Sequence, residues 1–261
     1  MTRISIITIN YQNQVGLLKT IHSVLDQSYP NIEYIVIDGA STDGSVDVMN
    51  SFSTKLAYSV SESDNGIYQA MNKGWKRATG EYCLFLNSGD YLYSNSVIEE
   101  VVKCIEKTST DIVFGNLFAY DENTGFISVF SEPISLYYFQ HNFIPHPAAF
   151  TKRSLLEKLN GFYEHYSLIS DWAFFVNSFL QKATFKQIDV TVTAFYMKGS
   201  SSNGEVSVKD KTALFNNEFK FLKSDFENLE RLRHFDTSII TKLARKVSAF
   251  KIKYFDKHIR R

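Results

Sequence analysis

Two carboxylates in this chain stand where apolar runs break into small polar residues. Ile32-Glu33-Tyr34-Ile35-Val36-Ile37 leads into Asp38, and Leu84-Phe85-Leu86 leads through Asn87-Ser88-Gly89 into Asp90. A third run, Ile4-Ser5-Ile6-Ile7-Thr8-Ile9, carries Thr8 and ends at Asn10. Buried parallel strands read this way, and in open α/β sheets ligands bind beyond the carboxyl ends of the strands. Parallel neighbours would bring Thr8, Asn10, Asp38 and Asp90 to one edge. Two carboxylates in a cleft suggest a site for a metal or for hydrogen-bonding a ligand, and the metal would be a hard divalent ion, Mg²⁺ or Mn²⁺. Such ions take oxygen ligands, often from one or two carboxylates, and complete the shell with phosphates. The residues alone therefore point to metal-assisted nucleotide chemistry. Taken singly, Asp90 has a plainer reading, in which it or Ser94 caps the following helix.

Elements of the right kind surround these tips. Val15, Leu18, Ile21 and Val24/Leu25 recur at helical spacing and predict one apolar helix face before Tyr29-Pro30. A helix is expected over about Ser45 to Phe52, a short strand near Leu56 to Val60, and a helix carrying Ile67, Ala70, Met71 and Trp75. Another helix is expected from Ser96 to Lys107. The alternation predicts a mainly parallel sheet with helices on both faces. Beyond about residue 110 the style changes. Strands are expected at 111–118 and 126–130, joined by the turn Asp121-Glu122-Asn123-Thr124-Gly125. An irregular loop with two prolines is expected over His141–Pro147, a short strand at 148–150, and a helix from Lys152 to Leu159. Asp171 opens an apolar helix, 185–196 alternates like a strand, and 198–204 is Gly/Ser-rich.

Composition narrows the class. The 261 residues are 44% hydrophobic, enough for a full core, with 28 basic and 28 acidic side chains and a formal net charge of +0. Nothing in that balance suggests nucleic acid. Cys83 and Cys104 form neither a metal pair nor a disulfide framework, and Met1-Thr2-Arg3 leads straight into a strand-like run, so a cytoplasmic protein is expected. No apolar segment spans a bilayer. From about Val206 the pattern is helical. Its last segment, 242–261, is basic and amphipathic, with Leu243, Val247, Phe250, Tyr254 and Phe255 on one face. Two readings fit it: contact with an anionic membrane surface, or a helix packed on the domain or a partner.

The motifs go further. Ile6-Ile7-Thr8-Ile9-Asn10-Tyr11, then 23–44 ending in Asp38-Gly39-Ala40-Ser41-Thr42-Asp43-Gly44, then Asp64-Asn65-Gly66-Ile67-Tyr68-Gln69-Ala70-Met71-Asn72-Lys73-Gly74 occur in order. Ala78-Thr79-Gly80-Glu81-Tyr82 and Leu86-Asn87-Ser88-Gly89-Asp90 follow. This series strongly resembles the opening of family 2 glycosyltransferases with the GT-A fold, as found in bacterial surface-polysaccharide synthesis. His146-Pro147-Ala148-Ala149-Phe150, Gly161-Phe162 and Ser170-Asp171-Trp172 extend it more weakly. The resemblance implies an α/β GT-A (Rossmann-like) domain over residues 1–205, with a nucleotide-binding half (1–110) and an acceptor half (111–205). A helical basic extension occupies 206–261.

It also implies inverting transfer of a sugar from a nucleoside diphosphate donor, a UDP-sugar, to an acceptor hydroxyl. The acceptor would be a lipid-linked glycan at the inner face of the membrane. Asp90 would hold the metal, with Ser88 standing where the family often has a first acid. Asp38 would contact base or ribose, Thr8, Asn10 and Asn72 would line the nucleoside pocket, and Asp64 would add a contact. Gly39 stands where many relatives have a second acid, and Met71 where they have a basic residue. Asp171 matches the general base, a group the chemistry needs because an acceptor hydroxyl is a poor nucleophile; an N-cap role is its structural alternative. His146 fits either an acceptor or diphosphate contact or a structural role. Two other functions remain open: a catalytically silent nucleotide-sugar-binding partner, and a nucleotidyltransferase. The latter would usually carry a Gly-rich phosphate loop, which Thr8–Gly16 lacks.

Overall fold

A computed structural model describes residues 1–130, 133–197 and 204–237, with side chains at 204, 205 and 233–237 excepted. The 242–261 segment lies outside the described residues. The first half alternates β1 (Ile4–Asn10), α1 (Gln14–Leu25), β2 (Ile32–Asp38), α2 (Ser45–Ser51), β3 (Tyr58–Ser61), α3 (Ile67–Arg77) and β4 (Tyr82–Phe85). Then come β5 (Tyr91–Leu92), α4 (Val97–Thr108), β6 (Ile112–Tyr120), β7 (Gly125–Ser128), α5 (Leu136–His141), β8 (Ala149–Lys152), α6 (Arg153–Leu159), α7 (Ser170–Leu180) and β9 (Phe185–Tyr196). Two more helices, α8 (Gly204–Asn217) and α9 (Lys223–Thr237), follow.

One nine-stranded sheet runs in the order β3-β2-β1-β4-β8-β6-β9-β5, with β7 paired to β6. The first four strands are parallel neighbours, as their continuous apolar runs predict. The second half joins through antiparallel pairs, β8 lying against both β4 and β6. β5 is too short for periodicity to reveal, and it pairs antiparallel with β9. The expected α/β GT-A architecture with a helical C-terminal region is therefore the one observed. α5 is an addition, since six residues of mixed aromatics carry no readable helical period.

Alternation along the strands builds two cores. Ile7, Ile9, Ile35 and Ile37 face α3, α7 and α8, while Ile4, Ile6, Tyr34 and Val36 face α1, α2 and α4. Each fully buried aliphatic side chain contributes roughly 1.5–3 kcal/mol. Leu214, Phe215, Phe219, Leu222 and Phe226, from the chain beyond 206, are buried in the first core.

The face expected for α1 is corrected. Val15 is 81% and Leu18 39% exposed, while Leu17, Thr20, Ile21 and Val24 turn inward. The cause lies at the helix start. The Asn13 side chain accepts from the Gly16 N–H and donates to the Ser88 carbonyl, which sets the helix rotation. Thr20 turns inward because the loop after β4 uses its hydroxyl, as described next.

Candidate active site

The parallel register places the strand tips together. Asn10 and Asp38 are paired across β1 and β2, and the backbone of Ser88 donates to the Ile9 carbonyl. The loop after β4 turns at Gly89, whose φ of +102° is a region open chiefly to glycine. The Gly89 N–H donates to Thr20 Oγ1 (3.0 Å), and the Thr20 hydroxyl donates to the Asp90 carbonyl (2.6 Å). One side chain of α1 thus fixes the backbone on both sides of the turn.

Asp90 is 6% exposed, and its carboxylate takes one hydrogen bond among the described residues, from the Tyr196 N–H at 3.2 Å. Burial pushes its pKa up to about 7, against the opposing pulls of the Tyr196 N–H, His146 and Lys19. A buried carboxylate whose ionised form takes a single hydrogen bond has the donor chemistry of a cation site. On the same loop, Asn87 Oδ1 is buried without a partner. Among the described residues no cluster of three or more His, Cys, Asp or Glu forms a protein-only metal cage. One carboxylate therefore fits an ion that takes its remaining ligands from phosphate and water.

Asp38 has the opposite character. Its Oδ1 accepts from Asn10 Nδ2 (2.6 Å) and Ser41 Oγ (2.6 Å), and its Oδ2 from the Ser41 N–H (2.8 Å) and Ser61 Oγ (2.6 Å). Burial opposes ionisation, but donors from Ser41, Ser61 and Asn10 outweigh it and hold the carboxyl below its ordinary range. The residue is fully buried and organises the strand tips from within. It also fixes its neighbour Asn10, which is 1% exposed and whose Oδ1 is buried without a partner. Thr8 lies one layer deeper, with its hydroxyl 3.0 Å from the Tyr34 hydroxyl.

Asn72 is likewise committed. Its amide donates to the Phe162 carbonyl (2.8 Å) and Glu164 (2.9 Å), and its Oδ1 accepts from Trp75 Nε1 (2.8 Å) and the Phe162 N–H (3.0 Å). It ties α3 to the 160s loop rather than facing the mouth. Asp64 lies by the strand tips: a Cβ added at Gly39 would sit 3.0 Å from Asp64 Oδ2 and 3.2 Å from the Tyr11 ring. A side chain at position 39 would crowd the Asp64 carboxylate and the Tyr11 ring. Tyr11 stands there 68% exposed. Ser88 contributes mainly backbone, its carbonyl and hydroxyl both facing the Asn13 amide (3.0 and 3.4 Å).

Asp171 opens the first turn of α7 with its side chain 22% exposed. Tyr68 donates to Oδ1 (2.9 Å), and His146 Nδ1 lies 3.1 Å from Oδ2. Burial opposes its charge, yet His146 and Tyr68 outweigh burial and hold its pKa below the ordinary value. The other ring nitrogen of His146 lies 3.3 Å from Asn87 Nδ2. With Nδ1–H donating to the carboxylate, Nε2 is the acceptor. A hydrogen-bonded line Tyr68–Asp171–His146–Asn87 thus joins Asp171 to the loop that carries Asp90.

Tyr68, Asn87 and Lys19 were not singled out from sequence. Lys19 Nζ lies 3.7 Å over the Tyr91 ring and donates to the Tyr120 hydroxyl (3.2 Å). Tyr68 had a signal, since it shares a motif with Asp64 and Asn72. Lys19 had none, because its site neighbours come from other elements.

A parallel sheet whose carboxyl edge brings a buried carboxylate and a hydrogen-bonded acid–histidine pair to one mouth is the layout of a GT-A glycosyltransferase. The family model for glycosyl transferase family 2 matches residues 5–172, and the chain belongs to that family. It is 30% identical over 186 residues to the PGL/p-HBAD biosynthesis glycosyltransferase of Mycobacterium bovis, covering 69% of this chain and 72% of that one. It is 34% identical over 182 residues to a glycosyltransferase of Mycobacterium tuberculosis, Rv1514c, covering 68% and 69%. Among solved structures, Staphylococcus aureus TarS superposes with a TM-score of 0.67 at 20% identity over 92% of this chain, which spans 44% of TarS. The mannosyltransferase PcManGT of Pyrobaculum calidifontis, in complex with GDP-Man and Mn²⁺, gives 0.63 at 15% identity, covering 95% and 79%.

Proposed function

We propose that the chain transfers a sugar from a UDP-sugar to an acceptor hydroxyl with inversion at the anomeric carbon. One observation carries this reading: the hydrogen-bonded line from Asp171 through His146 to Asn87 ties a carboxylate base to the loop holding Asp90. The TarS fragment solved in complex with UDP-GlcNAc, a fold neighbour with a TM-score of 0.65, and the Mn²⁺ complex of PcManGT support a nucleotide-sugar donor and a metal.

In this reading the nucleoside lies over the tips of β1 and β2. Tyr11 offers an exposed ring to the base, Asn10 lines the floor of the pocket beneath it, and Asp64 adds a polar contact. Asp90 would hold a Mg²⁺ or Mn²⁺ ion, which would supply positive charge to offset that of the departing diphosphate. Asp171 accepts the acceptor hydroxyl's proton as that oxygen bonds to the anomeric carbon. The bond from that carbon to the diphosphate oxygen breaks, and its electron pair leaves with the UDP. Tyr68 and His146 fix the carboxylate and keep it ionised at neutral pH, leaving a second lone pair on each oxygen for the acceptor.

Among the described residues no helix is long and apolar enough to cross a membrane. A lipid-linked glycan acceptor reached from the cytoplasmic side accords with the basic 242–261 segment. The test is a thermal-shift screen of nucleotide sugars with Mn²⁺, followed by a UDP-release assay. Stabilisation by UDP-sugars and turnover that disappears in Asp171→Asn are expected. Tight binding without turnover across donors and acceptors would instead identify a silent binding module.

A further inference from the structure

Asp171 and His146 form one end of a second feature, a cavity of about 640 Å³ between the sheet, α5, α7 and α8. That volume accommodates a drug-sized ligand. Its walls are largely apolar, with Leu117, Phe130, Phe139, Phe143, Trp172 and Phe195 among them. A glycan alone would leave such walls poorly matched, because sugar hydroxyls need polar partners. The polar groups present are few and specific. Lys211 stands half-buried in the wall, with Nζ 5.6 Å over the Trp172 ring. Gln140 Oε1 and His141 Nε2 are buried without a hydrogen-bond partner. His141 Nδ1 is 2.8 Å from the Tyr137 carbonyl and donates to it, so Nε2 is left as an acceptor.

The surface beside this wall is also unusual. Phe126, Tyr137 and Phe143 are each more than half exposed. Phe126 pairs with Ala119 across β7 and β6, on the strand face that includes Leu117 and Ser128. Tyr137 stacks on His141 with ring centres 4.4 Å apart, and Phe143 meets Phe130 edge-on at 5.6 Å. Among the described residues β7 pairs with β6 alone; Ile127 on it is 49% exposed and Val129, just after it, 70%. An apolar edge strand without cover is a feature that proteins usually avoid. An apolar rim continuous with an apolar cavity suits a ligand that arrives from an apolar phase. A flat protein partner would cover the rim but leave the cavity empty.

We propose that the cavity takes the apolar chain of a lipid-phosphate acceptor, with its phosphate at Lys211, and that the β7–α5 rim rests on the lipid surface it comes from. This rests on the reading of Asp171 as the acceptor end of the site. Because Asp171 lines the same cavity, the reacting hydroxyl and the lipid phosphate share it. The rim also provides a membrane contact independent of the 242–261 segment.

The test uses the full chain and farnesyl phosphate below its aggregation concentration, followed by Trp fluorescence, with farnesol, inorganic phosphate and maltotriose as comparators. Saturable binding of farnesyl phosphate is expected. Lys211→Ala should weaken it about tenfold and leave farnesol unchanged, the effect of losing one charge-assisted contact. Ser128→Trp, which fills the cavity, should abolish binding of both. Phe126→Ser with Phe143→Ser should reduce flotation with phosphatidylcholine–phosphatidylglycerol vesicles. The melting shift caused by UDP with Mn²⁺ should persist in every variant, which also shows that each one folds. Maltotriose binding lost in Ser128→Trp, with no farnesyl phosphate binding, would make this a glycan cavity and overturn the proposal. So would farnesyl phosphate binding that neither Lys211→Ala nor Ser128→Trp alters. Farnesyl phosphate binding without any UDP effect on the wild type would instead sink the nucleotide-sugar reading and leave the lipid cavity standing.

Discussion

Asp90→Asn tests whether this carboxylate awaits a cation. The folded protein holds the Asp90 proton up to a pH of about 7, against an ordinary value of 3.8. Between those values the folded state keeps a proton that the unfolded chain has released, so stability falls as pH rises. The contribution is fully present below 3.8 and is lost as pH passes through 7. The difference is about three pH units, at about 1.4 kcal/mol each, so the ionised carboxylate costs on the order of 4 kcal/mol. Asparagine is nearly the same shape, can still accept from the Tyr196 N–H, and does not titrate. Without metal, the variant should therefore be more stable than the wild type at pH 8. The gap should widen by about 2.6 kcal/mol between pH 5 and pH 8, because part of the cost is already incurred at pH 5. For a chain of this size that is a divergence in Tm of about 5 °C. Thermal melts in chelator across that range read it directly. Mn²⁺ with UDP should then reverse the order, since a ligand that binds only the folded state raises Tm and the variant lacks the carboxylate. Parallel pH curves for the two proteins would refute the argument from burial. Equal stabilisation of both by Mn²⁺ and UDP would refute Asp90 as the metal ligand.

Asn72→Ala should destabilise the fold by about 3 kcal/mol, read as a lower urea midpoint, because it strands buried groups on Trp75 and Phe162. Asp171→Asn should lower kcat by roughly 10²–10⁴-fold while UDP binding, followed by thermal shift, stays unchanged. His146→Gln should let the Asp171 carboxyl rise toward its ordinary value. The stability that this pairing supplies is present above the ordinary carboxylate range and lost as pH falls through the depressed value, so the variant should show a weaker acid-side loss in urea melts between pH 5 and pH 3.

The strand tips were legible because a parallel strand buried on both faces must be apolar throughout, so its end is visible in the residues themselves. Helix rotation was less legible. Leu18 has the right hydropathy for the core but is part-exposed, while Thr20 is buried because Gly89 and Asp90 need its hydroxyl. β5 and α5 are too short to carry a period, and tertiary contacts decide them. The site residues divide along a line that residue type does not draw. Asp38, Asp90 and Asp171 are all acids at the mouth of one sheet, yet Asp38 receives four hydrogen bonds, Asp171 two from side chains, and Asp90 one from the backbone. Donor number, set by neighbours distant in sequence, decides which charge the protein has already stabilised. Asp38 is held ionised by donors of its own fold and positions Asn10. Asp171 is held ionised with lone pairs to spare, as a base must be. Asp90 is buried at a cost its surroundings do not offset, and a cation is the partner that would remove that cost.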